Sequence, residues 1–208
     1  MRLGIVKYNA GNIYSVINAV RRLGVDPIVT DDAETLESVD GVIFPGQGEA
    51  RSSMEYLRER GLDRVIVGLR QPVLGICIGQ QLLCGHSEEG DTECMGIFPV
   101  AVKRFSPTFH NEKVPCMGWN RISPFVSAHR GMRDAGGLFA GIEEEAYVYF
   151  VHSYYVPICE WTIARTEYIV PYSAALRKGN FWTTQFHPEK SGLVGERILM
   201  NFLENIKG

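Results

Sequence analysis

The first 83 residues alternate short apolar runs with segments of helical period, and this alternation restricts the fold more than any other feature. "RLGIVKY" (2–8), "PIVT" (27–30), "GVIFPG" (41–46) and "PVLGIC" (72–77) read as buried strands. Between them lies "GNIYSVINAVRRLG" (11–24), with Ile13, Val16, Ile17, Val20 and Leu23 on one face and Gly24 as a stop. "SSMEYLRERG" (52–61) is a second helix closed by glycine. Strands this apolar, separated by helical segments, predict a mostly parallel sheet covered by helices. The second half changes character. "VAVKRF" (100–105), "AYVYFVHSYYV" (146–156), "WTIARTEY" (161–168), "YSAALRKG" (172–179) and "NFWTTQFHPE" (180–189) read as successive strands. A closing helix over 191–206 carries an apolar stripe of Leu193, Ile198, Leu199, Phe202 and Leu203. With no linker or repeat, residues 1–208 are expected to form a single α/β domain. Its one open, mostly parallel sheet would be flanked by helices and carry an antiparallel extension, with the active site at the carboxyl ends of the parallel strands.

The charge balance narrows the function classes. A net charge of −3 without a basic cluster gives no footing for nucleic acid or an anionic membrane. No segment approaches the roughly 18–20 apolar residues of a membrane span. The amino-terminal apolar run of five residues is too short and mixed for a signal-peptide core. Five cysteines (77, 84, 94, 116, 159), odd in number and without C-x-x-C spacing, argue against a disulfide framework and a structural zinc site. A reducing cytoplasm is the expected location, and no metal or cofactor is expected.

One cysteine stands in a special setting. "GICIG" (75–79) has the form of a nucleophile elbow, in which a reactive residue sits between glycines where a strand turns into a helix. A side chain two residues to either side would collide with neighbouring backbone. A helix amino terminus behind Cys77 would favour the thiolate. The amide of Ile78 would point toward a developing oxyanion. On its own the pattern also suits a glycine-flanked core cysteine, the reading preferred for the other four. A thiolate needs a base, and "TTQFHPEKS" (183–191) supplies His187 and Glu189 with one proline between them. In an extended segment residues i and i+2 face the same way, so the carboxylate could orient the imidazole. "FPGQGEA" (44–50) is a glycine turn at another strand end, open to close backbone approach and to peptide flips.

With these pieces in place, the sequence resembles the class I (triad) glutamine amidotransferases. The blocks run the whole chain: "YNAGN" (8–12), "PGQGEA" (45–50), "GICIGQQLL" (75–83), "SEEG" (87–90), "VPCMGWN" (114–120), "YFVHSYYV" (149–156), "AALRKGN" (174–180) and "TQFHPEKSG" (184–192). The MGWN, FVHSYY and FHPEKS blocks, with YNAGN, are similar to the branch that serves imidazole glycerol phosphate synthase in histidine biosynthesis. Two positions depart from the common pattern: Gln47 stands where valine is usual and Gln80 where methionine is frequent.

The resemblance implies roles. Cys77 would be the nucleophile, His187 the general acid/base and Glu189 its orienter. Gln47 and Ile78 would give the oxyanion amides, with Gly46 and Gly48 shaping the loop. Gln81, Glu89, Ser153 and Tyr154 would hold glutamine, while His152 fits a substrate segment or a structural histidine equally well. His86, His110 and His129 read as surface or loop residues. Asn12, Trp119, Asn120, Lys190 and Ser191 would lie toward the partner, a (β/α)8-barrel cyclase that receives ammonia. Glutamine hydrolysis is then expected to be slow alone and to rise with partner and acceptor nucleotide. Three rival readings stay open here: a glutaminase serving anthranilate, 4-amino-4-deoxychorismate or pyridoxal phosphate synthesis, a silent interaction module, and a cysteine protease.

Overall fold

The structure is a computed structural model that describes residues 1–9, 13–110, 112–124 and 137–207. The first half runs β1 (Leu3–Val6), α1 (Tyr14–Arg22), β2 (Ile28–Thr30), α2 (Ala33–Ser38), β3 (Gly41–Phe44), α3 (Ala50–Glu59), α4 (Leu62–Gly68), β4 (Val73–Ile76) and α5 (Ile78–Leu82). There follow β5 (Cys84–Ser87), β6 (Thr92–Glu93), β7 (Phe98–Arg104), β8 (Cys116–Pro124), β9 (Ala146–His152) and β10 (Tyr154–Tyr155). The chain ends with β11 (Thr162–Tyr168), β12 (Val170–Lys178), β13 (Phe181–Thr184), a 3-10 turn at Pro188–Lys190, and α6 (Gly192–Lys207).

Nine strands form one sheet in the order β2-β1-β3-β4-β13-β12-β11-β8-β9. The first five are mutually parallel and the rest run antiparallel, as the change of sequence character predicted. Every residue of β1, β3, β4 and β13 is buried, which is why the first three read as continuous apolar runs, while β13 adds two buried threonines. Alternate residues of β3 feed two cores. Ile43 joins Val20, Leu74, Phe150 and Phe202 under α1 and α6, while Val42 and Phe44 join Leu36, Met54 and Ile66 under α2, α3 and α4. Each such side chain contributes roughly 1.5–3 kcal/mol by leaving water.

Several elements differ from expectation. The 146–156 run breaks at Ser153, so β9 stays in the large sheet while β10 joins a second sheet, β10-β7-β5-β6. The segment 180–189 leaves the strand after Thr184. Leu193, placed on the apolar stripe of the last helix, is 83% exposed, because the packed face of α6 begins at Gly195 and runs through Ile198, Leu199, Phe202 and Leu203. Among the described residues no helix is long and apolar enough to cross a membrane.

The register decides where the chemistry collects. Phe44 pairs with Gly75 across β3 and β4, and Ile76 pairs with Thr184 across β4 and β13. Three neighbouring parallel strands therefore end side by side. Within three residues of these ends come the start of the Gly46–Gly48 loop, Cys77 and His187 respectively.

Candidate active site

Cys77 adopts φ 53° and ψ −106°, a conformation that side chains rarely take and that costs on the order of 1–3 kcal/mol. Its surroundings over-determine it. The Cys77 amide donates to the Thr184 carbonyl at 2.7 Å, and the Cys77 carbonyl accepts from the Gln80 and Gln81 amides at 3.0 and 3.3 Å. A Cβ on Gly79 would overlap the Phe44 carbonyl oxygen, and one on Gly75 would lie 2.9 Å from Leu83 Cδ1 and 3.1 Å from the Gly79 carbonyl. Both flanks thus demand glycine for the steric reason inferred from the motif. The dipole argument is weaker than expected, since α5 has only five residues and few aligned peptides.

His187 supplies the stronger field. Its Nδ1 donates to Glu189 Oε1 at 2.8 Å, with the two side chains 1% and 3% exposed. The contact is made differently from the expected strand alternation. His187 is extended, but Pro188 starts a 3-10 turn that carries Glu189 back beneath the ring. Ser191 locks this turn, donating from Oγ to the His187 carbonyl at 2.6 Å and accepting from the Tyr149 amide at 3.0 Å. Burial opposes a charged imidazole here, but the adjacent Cys77 sulfur and then Glu189 outweigh it and raise the His187 pKa to about 10. Nε2, the other ring nitrogen, is buried with no hydrogen bond of regular geometry among the described residues. The sulfur donates to the Val151 carbonyl at 3.8 Å and accepts from Gln185 Nε2 at 3.7 Å.

A pocket of about 410 Å3 opens on this pair, and Gln47, Gly48, Cys77, Ile78, Gln81, Glu89, Ser153, Tyr154, His187 and Lys190 all line it. Gly46 lies behind the wall, under the Ile78 side chain. Gln81 is held rigid, its Nε2 donating to the Tyr154 carbonyl and Gln185 Oε1, both at 3.0 Å. Glu89 accepts from the Ala50 amide at the start of α3 at 2.8 Å. Burial raises its pKa, Ala50 opposes this, and Glu49 adds to it. His152 resolves as a structural histidine: Nδ1 meets the Tyr154 carbonyl at 2.7 Å and Nε2 the Tyr172 hydroxyl at 3.1 Å. A larger groove of about 500 Å3 beside α6, lined by residues such as Ile142, Leu193 and Met200, contains none of the sequence-predicted groups.

The residues expected toward a partner divide. Trp119 is 55% exposed and meets the Tyr149 ring edge-on. Lys190 reaches the pocket. Asn120 is half-buried and its amide donates to the Glu167 carbonyl at 2.9 Å. Ser191 is 1% exposed, and its hydroxyl, bonded on both sides, fixes the histidine turn. Asn12 and His129 lie outside the described residues. Sequence reasoning missed Gln185, which touches both Cys77 and Gln81; its place two residues before His187 was the available signal. Tyr149, Val151 and Pro115 also line the pocket and carried no motif of their own.

The model of the glutamine amidotransferase class-I family matches residues 5–206. The chain belongs to the class I glutamine amidotransferases. Within that family it is 57% identical over 204 residues to the imidazole glycerol phosphate synthase subunit HisH of Bacteroides thetaiotaomicron, covering 98% of this chain and all of the relative. The corresponding subunit of Pectobacterium atrosepticum is 44% identical over 205 residues, with 98% and 100% covered. The crystal structure of a glutamine amidotransferase superposes with a TM-score of 0.73 at 19% identity, covering 100% of both chains. Another, from Thermotoga maritima, gives 0.60 at 16% identity over 100% of this chain and 84% of its own. At these identities the solved structures speak for the fold, and this amidotransferase shares it.

Proposed function

We propose that this chain is the glutaminase subunit of an imidazole glycerol phosphate synthase, working through a Cys77–His187–Glu189 triad. One observation carries the reading: a cysteine held at positive φ faces a buried histidine–carboxylate pair across one pocket. The Cys77 thiolate attacks the carboxamide carbon of glutamine. The amides of Gln47 and Ile78, with Gly46 and Gly48 shaping the loop, hold the resulting oxyanion. The His187 imidazolium, favoured by its raised pKa, gives its proton to the leaving nitrogen, and ammonia departs. A water that loses its proton to His187 then hydrolyses the thioester through a second oxyanion, releasing glutamate and restoring Cys77. Glu89 suits the substrate ammonium, and Gln81, Ser153 and Tyr154 the rest of its amino-acid end. These steps call on no metal or organic cofactor.

Residues 1–208 act as one domain in this reading, and its place is the cytoplasm. The exposed side chains of Met117 and Trp119 on β8 and Tyr147 on β9 form an apolar face. It continues into the pocket through Tyr149, which is paired with Trp119. This face, with Lys190 and Asn120, is the surface offered to a (β/α)8-barrel cyclase. Ammonia passing through a dry interface escapes protonation and remains nucleophilic. The test is glutamate release from glutamine by the chain alone, then with the cyclase subunit and its acceptor nucleotide, with Cys77→Ala as blank. A low basal rate that rises more than tenfold and vanishes in the variant is expected. No glutamate under either condition overturns the reading.

A further inference from the structure

The resemblance assigns Tyr8 no role, yet the structure buries its phenol against the oxyanion loop. The hydroxyl donates to the Pro45 carbonyl at 2.5 Å, across 37 residues of sequence. The ring packs on Phe44, centroids 5.2 Å apart, and the residue is 7% exposed. A Cβ built on Gly46 would lie 2.8 Å from the Tyr8 hydroxyl and 3.0 Å from the Gly79 amide nitrogen, and would overlap the Ile78 methyl. Gly46 is therefore enclosed between the phenol and the first turn of α5.

The consequence follows from the order of peptide planes. The Pro45 carbonyl belongs to the plane that ends at Gly46 N, and the next plane along the chain carries the Gln47 amide. Glycine at 46 admits the dihedrals this turn needs, and its enclosure by the phenol, Ile78 and the Gly79 amide limits how far they swing. The orientation of the Gln47 amide is then constrained from the upstream side only as firmly as the Pro45–Gly46 plane is fixed. A short, buried hydrogen bond to that plane is the anchor. We propose that Tyr8 is a positioning residue for glutamine hydrolysis: its hydroxyl fixes the Pro45–Gly46 peptide, the firm end from which the Gln47 amide is presented to the oxyanion in the activated complex. The proposal rests on the triad reading above. Tyr8 is not among the residues that line the pocket; burial and then the Cys77 sulfur raise its pKa, so the phenol stays neutral, and its effect is expected in the transition state. Loss of a direct oxyanion donor costs on the order of 10²–10³ in kcat, and loss of an anchor behind one should cost a fraction of that.

Tyr8→Phe keeps the ring on Phe44 and deletes only the hydroxyl. In the complex with the cyclase subunit and nucleotide, we expect kcat for glutamine to fall about tenfold, with KM within about twofold. The rate at which iodoacetamide alkylates Cys77 should not change, because that displacement forms no oxyanion. If Tyr8→Phe does not fold, 3-fluorotyrosine at position 8, which keeps the ring on Phe44 and alters only the hydroxyl's donor strength, should change kcat without KM. Unchanged kcat overturns the proposal, as does a raised kcat, a loss confined to KM, or a parallel loss of the alkylation rate. A wild-type complex whose Cys77 is alkylated but which releases no glutamate overturns the glutaminase reading itself, a result distinct from these.

Discussion

Two histidines face the same pocket, equally hidden from water, and they end on opposite sides of neutrality. His152 is held neutral with a pKa lowered to about 4, while His187 is raised to about 10. Burial works against the charged form of both, so burial does not separate them. Their partners do. His152 has a backbone carbonyl on Nδ1, which must therefore carry the proton, and a phenol that donates to Nε2. Neither partner is charged, and the nearby His187 lowers its pKa further. His187 has the sulfur of Cys77 and the carboxylate of Glu189, which favour the imidazolium. What sets the two histidines apart here is the charge of their neighbours.

The largest effect should come from taking that charge away. Glu189→Gln keeps a hydrogen-bond acceptor for Nδ1 but removes the negative charge beneath the ring. The kcat for glutamine is expected to fall on the order of 10³-fold. Proton NMR of the imidazole should show the His187 pKa moving down. If kcat stays within tenfold of wild type, the carboxylate only shapes the turn and the comparison loses its basis.

Next in size is stability, where the two histidines have opposite signs. The folded His187 pKa of about 10 stands above the ordinary 6.5. Its contribution is complete below pH 6.5 and is lost as the pH rises through about 10. The folded His152 pKa of about 4 stands below 6.5. Its contribution is present above pH 6.5 and is lost as the pH falls toward 4. Urea midpoints measured across pH 4–10 should decline at both ends. In Cys77→Ala the alkaline decline should shrink, because the sulfur is the largest influence raising the His187 pKa. The acid decline should survive that substitution. If both limbs change together, the titrations are not separate as described.

The same contrast explains what could be read in advance. The elbow was legible because its constraint is local: Gly75, Cys77 and Gly79 meet steric limits set within one turn and the neighbouring strand. The His-Pro-Glu pair was legible because its members are two residues apart, although a 3-10 turn and not a strand brings them together. His152 could not be decided, since the burial that keeps it neutral and its contact with Tyr172, twenty residues on, arise only from the fold. Tyr8 was invisible for the same reason, its partner lying 37 residues away. The second sheet was missed because β5, β6 and β10 have two to four residues, too few to show a period. The part Ser191 plays in the turn was not legible, because nothing in its block showed that its hydroxyl turns inward onto the His187 carbonyl.

The smallest effect bears directly on whether the division between the histidines is real. Tyr172→Phe removes the hydroxyl that donates to His152 Nε2 and leaves a buried nitrogen without that donor. The fold should lose about 1–3 kcal/mol in urea unfolding at pH 7. The lost bond was made to the neutral imidazole, so the His152 pKa should rise from about 4 while remaining below that of His187. Tyr172 is fully buried. The triad keeps its own contacts, and kcat for glutamine should stay within about twofold once the protein is folded. If kcat instead fell as far as in Glu189→Gln, the proton on His152 would be part of the reaction. The pocket would then hold two working histidines, and their separation by partner charge would describe a single coupled network.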